Sequence, residues 1–161
     1  MLVAGIGNLF QRDDGFGPEV VRRFAAAAEP LPGVRVVDYG IRGMHLAYDL
    51  LDGYAALVIV DAIPGTDPPG TIRVLAIGEQ DLRGGSFDPH GMAPVAVLGS
   101  LTDLGGQLPP TYVVGCVPAT TEEGIGLSAE VEAAVPAALD AVRTVLRDRV
   151  PQPAGHEQGG A

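Results

Sequence analysis

Ala55-Ala56-Leu57-Val58-Ile59-Val60-Asp61 is the stretch on which the fold turns. Six apolar residues run without a polar break and stop at a carboxylate. A strand with one wet face alternates in polarity, so this run reads as a strand covered on both faces, as in a parallel sheet. As the strongest run in the chain, it is assigned the centre of that sheet. Weaker runs at 2–6, 34–38, 72–76 and 112–117 supply four more strands.

Helical spacing fills the intervals. Phe16, Val20, Val21 and Phe24 line one face of a helix beginning near Asp14, and Leu46, Leu50 and Leu51 form the stripe of another over 44–51. A third helix is predicted over 94–104. The last starts at Ser128, a good N-cap, and carries Val131, Val135, Ala138, Val142 and Val145. Pro18 is tolerable because it falls in a first turn, whereas Pro136 is predicted to kink the last helix or divide it. Pro30-Leu31-Pro32-Gly33 and 64–70 read as turns, and 77–90 as a long loop of the kind that often carries function. Strands alternating with helices predict an α/β fold: a single-domain, three-layer arrangement with a twisted, mostly parallel five-stranded sheet between helices. Residues 1–150 form that domain, and 151–161 are too poor in apolar surface to order.

Composition narrows the function. The 161 residues are 47% hydrophobic and carry a net charge of −10. The basic residues are all arginine. Such a surface repels nucleic acid and anionic membranes and suits a partner with a basic face. The one cysteine, Cys116, lies among apolar neighbours and reads as an inert core thiol in a reducing compartment. The N-terminus lacks a basic signal region, and no apolar run approaches the ~20 residues of a membrane helix. A soluble, cytoplasmic protein is expected.

Asp14, Asp61 and His90 are the chemistry-bearing candidates. In doubly wound folds, groups beyond the carboxyl ends of strands converge on one crevice. Two carboxylates and an imidazole there suit a metal-directed or acid/base site. Each has a plainer reading. Asp14, taken alone, reads as a helix cap, although Asp13 can serve the cap while Asp14 faces the crevice. His90, in Asp88-Pro89-His90-Gly91, reads equally well as a solvated loop residue. Asp61 is harder to dismiss, because an unpaired carboxylate at the mouth of a buried strand is costly. His45, on a predicted helix, is read as peripheral, and His156 as tail. Gly5-Ile6-Gly7 lacks the third glycine of a dinucleotide fingerprint, Phe10 standing in its place, so the glycines are assigned to the turn. No Gly-x-Ser-x-Gly elbow, Walker lysine or His-Glu-x-x-His helix is present.

Assembled in order, these segments resemble the hydrogenase maturation proteases, over about residues 2–148. The resemblance rests on Gly5-Ile6-Gly7-Asn8, Asp13-Asp14-Gly15-Phe16-Gly17, Val60-Asp61-Ala62 and Pro89-His90, continued by Gly115-Cys116-Val117-Pro118 and Gly124-Ile125-Gly126-Leu127-Ser128. It implies an endopeptidase, aspartic in type but unlike pepsin, that removes the C-terminal extension from the large-subunit precursor of a nickel–iron hydrogenase. It also implies that Asp14, Asp61 and His90, as catalytic and metal-contacting residues, meet nickel already carried by that substrate. No permanent metal is implied for the free enzyme, and a monomer is expected. Two segments depart from the commoner pattern: Asp38-Tyr39-Gly40-Ile41-Arg42, where many members read Asp-x-Gly-Thr, and Ala93-Pro94 after the histidine. Both bear on which hydrogenase is the client. A non-catalytic module that checks or escorts nickel during hydrogenase assembly is the alternative.

Overall fold

The computed structural model describes residues 1–27, 31–83 and 93–149. Five strands, β1 (Leu2–Ile6), β2 (Arg35–Gly40), β3 (Leu57–Ala62), β4 (Ile72–Ile77) and β5 (Thr111–Cys116), form one sheet. Its order is β2-β1-β3-β5-β4, with β3 in the middle as its unbroken apolar run predicts. All neighbours are parallel except β4, which runs antiparallel to β5 at one edge.

Side-chain alternation in the central strands divides the interior into two cores. Val3, Val58, Val60 and Val114 meet α1 (Phe16–Ala27) and α5 (Ala129–Thr144), through Phe16, Val20, Val131 and Val135 among others. Leu2, Ala4, Leu57 and Ile59 meet α2 (Gly43–Leu50) and α4 (Ala93–Asp103), through Leu46, Leu50, Leu98 and Leu101. Helices on both faces make the three layers.

Three segments differ from the sequence reading. The 77–90 stretch is not all loop: residues 79–83 form a short helix, α3 (Glu79–Arg83). Its start is tied locally, the Gly78 N–H donating to Asp81 Oδ2 at 2.7 Å, a side-chain contact that apolar periodicity does not report. Residues 84–90 lie outside the described residues. The helix predicted to start near Asp14 begins instead with a 3₁₀ turn, Arg12–Gly15, before α1 proper. The final helix is not divided at Pro136, for α5 runs through it. Pro136 and Glu132 both lie on the exposed side of that helix, so the Glu132 carbonyl, which loses its helical donor, has water available. The tail assigned to 151–161 lies outside the described residues.

Glycine sets how closely α1 meets the sheet. A Cβ at Gly17 would lie 2.2 Å from the Val60 carbonyl oxygen and 2.3 Å from that of Ile6. Only a residue without one lets the helix start against the carboxyl ends of β1 and β3. Gly7, with φ of +144°, turns the chain out of β1 so tightly that a Cβ would lie 1.8 Å from the Asp14 carbonyl oxygen. These two contacts bring the 3₁₀ turn down onto the end of β3.

Candidate active site

Asp61 is the fifth residue of β3 and pairs with Gly115 of β5, so it lies inside the sheet rather than beyond it. Alternation turns its side chain toward the α2–α4 side, with Leu57 and Ile59. The residue is 6% exposed. Burial, then the neighbouring charge of Asp14, push its carboxyl well above the ordinary value of 3.8; a hydrogen bond from the Ala62 N–H opposes them. Asp14 sits half-buried in the 3₁₀ turn, where its Oδ2 accepts the Asn8 N–H at 2.9 Å. The structure therefore brings Asp14 and Asp61 together at the carboxyl edge of the sheet. His90 lies outside the described residues.

The capping role expected of Asp13 and Asp14 is not what the structure contains. Neither carboxylate accepts from the first turn of α1. Asp13 is fully buried and reaches across the sequence. Its Oδ2 accepts N–H groups of Ala119 at 2.8 Å and Thr120 at 3.1 Å, and the Ser128 hydroxyl at 2.9 Å. Its Oδ1 accepts the Ser128 N–H at 2.7 Å. Burial alone would raise its pKa, but the hydrogen bonds from Ser128, Thr120 and Ala119 outweigh it and hold the carboxyl below 3.8. The Ser128 hydroxyl also accepts the Val131 N–H, so one oxygen caps α5 and donates to Asp13. Asp13 thereby clamps the turn bearing Asp14 to the start of the last helix. No local pattern announces this contact, because its partners are more than 100 residues away.

A second tie runs alongside. Arg12 adopts φ of +47°, unusual for a residue with a side chain. Its N–H donates to the Gly124 carbonyl and the Gly124 N–H to that of Phe10, while Arg12 Nη1 reaches the Ile125 carbonyl at 3.2 Å. The paired loops present Phe10, 67% exposed, and Ile125, 74% exposed. Ile41, beyond β2, is 79% exposed. Cys116 is buried, its thiol pushed up to about 11 by burial and the charge of Asp13, as suits an inert core residue. Among the described residues no helix is long and apolar enough to cross a membrane.

A family model described as hydrogenase maturation protease matches residues 18–145. The chain belongs to that family. Among its relatives, the hydrogenase 2 maturation protease of Escherichia coli is 31% identical over 163 residues, covering 98% of this chain and 99% of the relative. A putative hydrogenase maturation protease of Methanocaldococcus jannaschii is 35% identical over 147 residues, covering 88% and 93% respectively. Of the solved structures, the hydrogenase maturating endopeptidase HybD from E. coli superposes with a TM-score of 0.79 at 30% identity, covering 92% of each chain. This protease thus processes the C-terminus of a nickel–iron hydrogenase large subunit, and its α/β sheet is the family's.

Proposed function

We propose that this protease inspects nickel as it cuts: Asp14, Asp61 and His90 complete the coordination of a nickel ion held by the cysteine thiolates of the client. The observation that carries the reading is the carboxylate pair. A buried carboxylate beside a second one is unfavourable until a proton or a cation arrives, and a client-borne cation relieves it. Oxygen and imidazole donors are acceptable to nickel(II). His90 enters through the family motif Pro89-His90. The exposed Phe10, Ile41 and Ile125 support a macromolecular client rather than a small molecule.

Two routes lead from docking to cleavage. In one, the metal polarises the scissile carbonyl and activates water. In the other, it only positions the peptide, and the aspartates move the protons. The enzyme works as a monomer in the cytoplasm, where the free thiol of Cys116 stays reduced.

Intact-mass measurement of nickel-loaded and nickel-free precursor after incubation with the protein tests this. Loss of a C-terminal peptide from the loaded form alone is expected. Cleavage of both forms would remove nickel from recognition, and cleavage of neither would leave a nickel-checking escort in place of this mechanism.

A further inference from the structure

Beside the edge strand β2 lies a cavity of about 300 Å³, lined by Arg35, Tyr39, Arg42, His45 and Asp49 among others. Arg35 and Tyr39 share one face of β2, while His45 and Asp49 lie one turn apart on α2. At its upper end β2 is continuous with the carboxylate site, because the Gly40 carbonyl accepts the N–H of Gly7 in the loop that leads to Asp14.

The charges in this groove are unevenly matched. Asp49 Oδ2 accepts the Tyr39 hydroxyl at 2.6 Å and lies 3.5 Å from Arg35 Nη1, so the carboxylate and one arginine are already engaged. Arg42 is different. Its Nε donates to the Tyr39 carbonyl at 3.2 Å and its Nη2 to the Asp38 carbonyl at 2.8 Å. Those bonds pin the guanidinium and leave its Nη1 end open. Arg22, Arg23, Arg35, Arg73, Arg143 and Arg147 each face a carboxylate. Among the arginines whose side chains are described, Arg12 and Arg42 hold backbone carbonyls instead, and of these two Arg42 borders the cavity. In a chain of net charge −10, a fixed and unbalanced cation dictates where an anion settles.

We infer that the groove between β2 and α2 is a carboxylate subsite for the client peptide, with Arg42 as its specificity-determining residue and the open guanidinium edge as the donor. The Asp38 and Tyr39 carbonyls are taken by Arg42, so strand addition along that end of β2 is blocked and recognition falls to side chains. An arginine fork matches a carboxylate in shape as well as charge. The carboxylate comes either from an acidic side chain of the extension or from its free C-terminus. The inference rests on the protease reading only for the owner of that carboxylate.

The test uses the full chain and a probe that is never cut, so failure to bind and failure to cleave are separate results. An N-acetylated Gly-Ala-Glu-Ala peptide is titrated into the 15N-labelled protein and amide shifts are followed. Perturbations concentrated in 35–49 are expected, with affinity falling about 10-fold or more in Arg42→Gln. Arg147→Gln, which removes the same charge elsewhere, should bind as the wild type does. An amidated peptide that loses binding assigns the C-terminal carboxylate, and a glutamine-containing peptide that loses it assigns the side chain. Equal binding by Arg42→Gln, equal binding of a peptide carrying neither carboxylate, or equal weakening by Arg147→Gln would overturn the inference.

Discussion

Asp13 and Asp61 are two buried carboxylates at the same edge of one sheet, yet their surroundings push them in opposite directions. Asp13 accepts three backbone N–H groups and a hydroxyl, and its pKa falls below 3.8. Asp61 receives one backbone hydrogen bond, faces the charge of Asp14, and its pKa rises well above that value. Burial is common to both, so burial does not decide the outcome. The number of donors aimed at the carboxylate does, together with the sign of the nearest charge. Asp13 is ionised and locked, which suits a residue that holds two loops together. Asp61 is left with capacity for a proton or a cation, which suits a group awaiting a substrate.

Asp61→Asn offers the largest effect. Processing of a cognate precursor should fall by at least about 100-fold, while the protein gains about 1 kcal/mol of stability at neutral pH, or about 2–4 °C in Tm. The sign follows from the raised pKa: the stability associated with protonated Asp61 is fully present below 3.8 and is lost as pH rises through the folded-state value. Full activity in this variant would remove Asp61 from the site. A loss of stability would show that the carboxylate is structural after all, and that the contrast with Asp13 is false.

Asp13→Asn should act the other way, costing about 2–4 kcal/mol by leaving buried N–H groups of Ala119, Thr120 and Ser128 poorly matched. Because the folded-state pKa of Asp13 is lowered, its stabilisation is present above 3.8 and disappears as pH falls through the folded-state value. Urea midpoints of wild type and variant should therefore converge on acidification. Divergence there would reverse the assignment. The smallest effect is expected of Ser128→Ala, which removes the α5 cap and one donor to Asp13, for about 1 kcal/mol. A thermal melt of the double variant sharpens the point, since costs that sum would mean that the two residues do not act as one clamp.

Much of this was legible beforehand for a local reason. The run from Leu57 to Val60 specifies a central strand because each of its side chains needs cover, and Ser128 marks a helix start because its hydroxyl serves an amide three residues on. Asp61 stood out through the contrast with its own neighbours. Asp13 did not, because an adjacent pair of acids before a helix looks alike whichever partner each takes. Arg42 is distinguished in the sequence only as part of a departure from the family pattern. Its significance lies in the backbone carbonyls that hold it and the cavity beside it, neither of which has a sequence signature.

The sequence by itself therefore determined the layers and the strand at the centre, since these follow from periodicity and polarity along the chain, and it marked Asp61 as a candidate by its place at the end of that strand. Only the tertiary structure decided that β4 is the antiparallel edge, that Gly17 lets α1 close on the strand ends, and that Asp13 is saturated while Asp61 is not. Those outcomes depend on distances between residues far apart in the chain, and it is distance, through packing and Coulomb's law, that turns one aspartate into a clamp and another into a candidate catalyst.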